Sequence, residues 1–214
     1  MKKLLALLLA LTMLASFAAC GGGKDTPVSS QEVSSAESSE EPVDETEAAT
    51  TALENALKAT AELDYEKIAK YYEEPFVTKE AMEYLGESGK IVELFIKKAQ
   101  ARVSDCKQTD EETATATIAL SVVDFGKLVN ELSPKLMEKV EKMDAENMTQ
   151  EQMVELQLYS FGLIEEAFKG DVATVSKTIK MELKKIDGEW KVSDYDEFYD
   201  AVLGELETAF SYMQ

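Results

Sequence analysis

Few side chains in this 214-residue sequence could do chemistry, and their types narrow the choice at once. Histidine is absent, which removes Ser-His-Asp and Cys-His machinery and every His-ligated metal site. Neither a phosphate-cradling glycine loop nor a dinucleotide fingerprint occurs. Carboxylates, lysines, tyrosines, one tryptophan and two cysteines remain. Two charged residues fall on the apolar phase of alternating runs: Asp124 follows Ile118, Leu120 and Val122, and Lys177 sits between Val175 and Ile179. A charge on the buried side of a strand is costly unless it is paired or wetted. Asp124 and Lys177 are therefore expected either to pair, as a structural ion pair at the rim of the sheet, or to face a wetted cavity where they orient a ligand. The acidic run from Ser193 to Asp200 lacks the spacing and central glycine of a calcium loop. Its carboxylates suit a helix N-terminus. No metal and no cofactor is expected.

The two thiols stand in different settings. Cys106 lies in a strand-like run and reads as a small buried hydrophobe. Cys20 closes a short apolar segment with Lys2 and Lys3 at its start, Leu4 to Phe17 as its core and the small Ala18 and Ala19 at its end. Such a segment has secretory length and is shorter than the roughly 20 apolar residues a membrane-crossing helix needs. The run Leu14-Ala-Ser-Phe-Ala-Ala-Cys20, followed by three glycines, resembles the lipobox of bacterial lipoprotein signal peptides, with Phe17 where leucine is usual. The resemblance implies that Cys20 is joined to diacylglycerol and becomes the mature N-terminus, and that residues 1 to 19 are removed. It places the chain on the extracytoplasmic side of a bacterial cell membrane. With Cys20 lipidated, Cys106 has no partner for an intramolecular disulfide.

Charge agrees with that address. Acidic residues number 42 against 22 basic ones, and removing residues 1 to 19 takes away only two of the bases. Such a chain repels nucleic acid and anionic membrane alike, so acyl chains must do the anchoring, and two are enough for stable attachment. Residues 20 to 47 are rich in Gly, Ser, Glu and Pro and nearly free of large apolar side chains, and they read as an acidic tether. As a coil they would hold a domain roughly 30 Å from its anchor.

Residues 48 to 214 have the length of one domain. Helical spacing opens it at Ala49, Leu53, Ala56 and Leu57, and Asp64, Thr78 and the Gly86/Gly89 pair punctuate further short helices. The period then becomes two. A weak strand over Arg102 to Lys107 precedes Thr113 to Val122, whose even positions are apolar and whose odd ones are mostly Thr or Ser. A second alternating run from Ala173 to Leu183 reaches Asp187-Gly188, a strong hairpin signal, and then Trp190 and Val192. Between strands two and three, at about 125 to 169, lies a two-helix insertion. Its first helix carries the stripe Leu128, Leu132, Leu136 and Val140, and a Thr149/Gln152 capping box starts its second. That second helix is apolar on two flanks and is expected to pack between layers. A closing amphipathic helix carries Phe198, Val202, Leu206 and Phe210. The fold expected is α+β: a curved antiparallel sheet of about four strands, covered by helices.

The turn Leu63-Asp-Tyr-Glu-Lys67, the strand Glu112-Thr-Ala-Thr-Ala116, the hairpin end Asp187-Gly-Glu-Trp-Lys-Val192 and the closing helix resemble the uncharacterised domains of Gram-positive lipoproteins. Those are similar to the nuclear-transport-factor and cystatin-like cone fold. The resemblance implies a helix-covered hollow lined by Ile118, Leu120, Val122, Ile179, Met181 and Trp190. The function expected is a noncatalytic surface module that binds a small molecule, peptide or protein partner. The alternative is a small-molecule hydrolase or isomerase with Asp124 as base. A filled hollow favours the first; an open one with an isolated carboxylate favours the second.

Overall fold

A computed structural model describes residues 45–143 and 148–206. The signal segment, Cys20, most of the tether and Phe210 lie outside the described residues. The first helix, α1 (Glu45–Glu62), buries Ala49, Leu53, Ala56 and Leu57 at the spacing that puts them on one face. Leu63 takes a positive φ of 53° and turns the chain. Asp64 then caps α2 (Tyr65–Tyr71) by accepting the Lys67 N–H. Thr78 caps α3 (Lys79–Leu85) in the same way through Ala81. Gly86, at φ 57°, ends that helix and opens α4 (Glu87–Lys98). At Gly89 the backbone of the preceding helix comes so near that a Cβ would lie 2.5 Å from the Met82 carbonyl oxygen.

Four strands follow, β1 (Gln100–Gln108), β2 (Thr113–Val123), β3 (Thr174–Ile186) and β4 (Glu189–Asp194). They form one curved antiparallel sheet in sequential order. Although β2 and β3 are neighbours, the helices α5 (Phe125–Glu141) and α6 (Gln150–Phe168) intervene in the chain. The chain thus leaves the sheet as a helical pair and returns beside the strand it left. The capping box at Thr149 and Gln152 forms, with both reciprocal hydrogen bonds in place. Asp187 and Gly188 both have positive φ, which the tight β3–β4 turn requires.

Register divides the sheet into two faces. One carries the rows Val103–Ile118–Ile179, Cys106–Ala116–Met181 and Ala114–Leu183–Val192, whose central-strand members are almost fully buried. Helices α1, α4 and the C-terminal segment pack on this face. The other carries Thr113, Thr115 and Thr117 flanked by Lys180, Glu182 and Lys184, and is left partly or wholly to solvent. Burying each large apolar side chain of the inner rows contributes on the order of 1.5 to 3 kcal/mol, so the sheet is held by its helix cover.

Two expectations change. Helix α6 does not pack between layers: Leu156 and Phe161 are buried, whereas Val154 and Leu158 are 46% and 53% exposed. Leu156 marks the covered flank; on the flank that Val154 and Leu158 share with Phe161 and Phe168, the first half is exposed while Phe161 is buried and Phe168 packs on Phe95. The closing segment is not one regular helix either. The short α7 (Asp196–Tyr199) runs into a π-helical turn at Asp200–Gly204. Periodicity cannot reveal such a one-residue widening, because Phe198, Val202 and Leu206 still reach the core through it.

Candidate functional site

The expected hollow is filled. Ile118, Leu120, Val122, Ile179, Met181 and Trp190 are all buried in the main core, each no more than 6% exposed. Trp190 packs inward at the hairpin end, and its indole N–H donates to Glu45 Oε2 at 3.0 Å. The lining is a packed interior.

Asp124 and Lys177 do not meet as a pair; each has another partner. Asp124 is the N-cap of α5: Oδ1 accepts the Lys127 N–H at 3.0 Å, and Oδ2 lies 3.5 Å from Lys127 Nζ. Its own N–H donates to the Ala173 carbonyl, which ties the start of the insertion to its end. Lys177 keeps the inward phase, opposite Leu120, and its ammonium reaches sideways to the π turn. There it donates to the Ala201 carbonyl at 3.5 Å and lies 3.8 Å from Glu205 Oε1. Asp124 lies just past the end of β2 at Val123. Strand phase could not show that Asp124 caps α5 and turns its carboxylate along that helix's first turn, or that the closing segment offers Lys177 a nearer acceptor. In the acidic run, Asp194 accepts the Asp196 N–H and Glu197 accepts the Lys180 N–H, so both carboxylates bind backbone.

The two sheet edges differ. At β4, Tyr72 forms a parallel bridge to Val192, and the Glu73 N–H donates to the Val192 carbonyl at 2.9 Å, so that edge is partly covered. The Tyr72 hydroxyl is buried against the Thr60 hydroxyl at 2.9 Å, and burial pushes its pKa up to about 12. Rings of Phe76 and Tyr195 pack edge-on against Tyr72 at 5.8 and 5.7 Å. At β1, a bulge between Val103 and Asp105 shifts the register by one residue, and the strand pairs regularly with β2 on either side of it.

Beside the first half of β1 runs an open groove of about 510 Å³. Helix α1 forms one wall with Glu54, Leu57, Lys58 and Ala61; the end of α4 contributes Ile96 and Lys97; Gln100 to Val103 form the other wall. Three cations and one carboxylate line it, in a chain whose net charge is −20. Lys58 and Lys97 have carboxylate neighbours on their own helices, Glu62 and Glu93. Arg102, the one arginine of the sequence, is exposed, and its side chain has no ion pair or hydrogen bond among the described residues. Sequence reasoning did not assemble this groove. The strand carrying Arg102 was legible, but its nearness to the Glu54, Lys58 and Ala61 flank of α1 depends on how that helix crosses the sheet.

No family model matches the chain, and no curated protein matches it. Among solved structures it is similar to the candidate lipoprotein ycdA of Bacillus subtilis, at 21% identity and a TM-score of 0.38, over 61% of this chain and 44% of that one. The chain therefore spans less than half the length of that protein. Among the described residues no helix is long and apolar enough to cross a membrane.

Proposed function

We propose that the chain is a lipid-anchored extracytoplasmic module that binds a small molecule, peptide or protein partner and is not a catalyst. The packed inner face carries this reading: the residues that would line a substrate hollow are the core that holds sheet to helices. The lipobox-like run ending at Cys20 supports the anchor, and the acidic stretch up to residue 44 supports a spacer between membrane and domain. The helix-covered curved sheet is in keeping with the cone-like resemblance, with the cone packed shut. A hydrolase or isomerase would need Asp124 directed into an open hollow, and its engagement as a helix cap speaks against that.

Trp190, the one tryptophan, reports on the inner face. A partner bound on the outside leaves its emission unchanged, whereas a substrate entering the hollow must displace its neighbours and shift it. Turnover of any small ester or ketone that Asp124→Asn abolishes without loss of stability sinks the noncatalytic reading. The anchor is tested separately by metabolic labelling with an alkyne fatty acid. The parent should label and fractionate with membranes, and Cys20→Ala should do neither.

A further inference from the structure

We infer that the exposed face of α6 receives an amphipathic helix of a partner protein, one whose apolar stripe is flanked by lysines or arginines. Three observations converge on that face. The first is an apolar line: Val154 and Leu158, one turn apart, are both exposed, and the exposed Gly162 continues the line by a further turn. Tyr159 stands beside it and is exposed as well. Among the described residues, three of the five exposed large hydrophobic side chains thus lie on this one helix, which makes them a patch and not a scatter. Side chains at i, i+4 and i+8 form the kind of ridge against which a second helix packs.

The second is Gly162 itself. Glycine inside a helix is disfavoured against alanine by its backbone entropy, so its presence calls for a reason. A positive φ or a crowding neighbour would supply one, and neither holds: the residue is helical, and a Cβ built on it meets nothing within 4 Å. The bare position lets another backbone come close, where a side chain would hold it off. The third is charge. Helix α6 carries Glu151, Glu155, Glu165 and Glu166 and no lysine or arginine. Lys139 lies 2.6 Å from Glu155 and Lys169 2.8 Å from Glu166, whereas Glu151 and Glu165 have no ion pair among the described residues. By helical phase all four border the line from Val154 to Gly162. That acidic rim selects a basic partner. It speaks against a second copy: an antiparallel pair centred on Leu158 seats Val154 over Gly162 but sets Glu151 against Glu165 across the two-fold axis, in a chain of net charge −20.

This inference rests on the binding-module reading, and the two can fail separately. The full mature chain, held in nonionic detergent, is titrated with an acetylated, amidated peptide of three Leu-Lys-Ala-Lys-Leu-Ala-Ala repeats while the backbone amides are followed by NMR. A second peptide carries Glu in place of each Lys. The largest shifts should fall at Val154, Leu158 and Gly162, and the Lys peptide should bind about tenfold more tightly than the Glu peptide. Leu158→Ser should weaken the Lys peptide about tenfold at unchanged melting temperature. Gly162→Ala separates the seam from general attraction between opposite charges. It should raise the melting temperature of the free protein by roughly 2 to 4 °C and still weaken the Lys peptide about threefold. Shifts spread evenly over the acidic surface, or an affinity that Gly162→Ala leaves unchanged, overturn the seam. Equal binding of the Glu peptide overturns the basic partner. A dimer in sedimentation that Leu158→Ser dissolves makes a second copy the occupant and overturns the proposal. A partner that binds both variants with full affinity leaves the module standing and removes this site.

Discussion

Glu45 accepts the indole N–H of Trp190 at 3.0 Å with one carboxylate oxygen and the Lys185 ammonium at 2.7 Å with the other. The first described residue is thereby fixed to the last hairpin of the sheet, 145 positions away in the chain. The hydrogen bond from Lys185, then that from Trp190, hold the Glu45 pKa below its ordinary value. A lowered carboxylate pKa stabilises the fold above the unfolded value near 4.5, and that contribution is lost as pH falls through the lower folded value. Glu45→Gln should therefore lower the urea midpoint at pH 7 and not at pH 2.5. An equal deficit at both pH values would show that the charge is irrelevant.

Tyr72 supplies the opposite limb. Its folded pKa of about 12 lies above the ordinary 10, so the protonated form is the one the fold stabilises. That stability is fully present below pH 10 and is lost as pH rises from 10 towards 12, on the order of 2 kcal/mol over that range. In Tyr72→Phe the Thr60 hydroxyl keeps its bond to the Ala56 carbonyl, so the cost at pH 8 should be near ~1 kcal/mol. Denaturant titrations at pH 8 and pH 11 should find the parent's alkaline loss sharply reduced in the variant.

Asp124 and Lys177 have separate partners, so their substitutions should add. Asp124→Ala removes an N-cap and should cost about 1 kcal/mol. The double variant Asp124→Ala/Lys177→Ala should equal the sum of the singles within about 0.5 kcal/mol. Mutual rescue in the double-mutant cycle would restore the ion pair that strand phase suggested.

Two positions of α6 should respond very differently. Leu156→Ala removes a side chain that is 1% exposed and should cost roughly 2 to 5 kcal/mol. Leu158→Ser acts on an exposed position and should stay within about 0.5 kcal/mol. A large loss at Leu158, read by thermal unfolding, would mean that this position is covered.

Local chemistry determined much of this protein from the sequence alone. Alternation placed Ile118, Leu120 and Met181 on the buried face of their strands, because a period of two admits only one buried side. Caps at Asp64, Thr78 and Thr149, the break at Gly86 and the turn at Asp187-Gly188 were legible because each depends on a few neighbouring backbone groups. The helical insertion between neighbouring strands was legible for the same reason. Only the tertiary structure decided what each face meets. Hydrophobic periodicity is silent on whether a curved sheet encloses space or packs shut, since Ile179 and Trp190 are apolar in either case. It could not say that Lys177 reaches Ala201 and Glu205 rather than Asp124, since that choice depends on where a helix from another part of the chain comes to rest. The groove beside Arg102 is likewise the product of the angle at which α1 crosses the sheet, an angle set by the summed packing of the whole core and written in no single stretch of sequence.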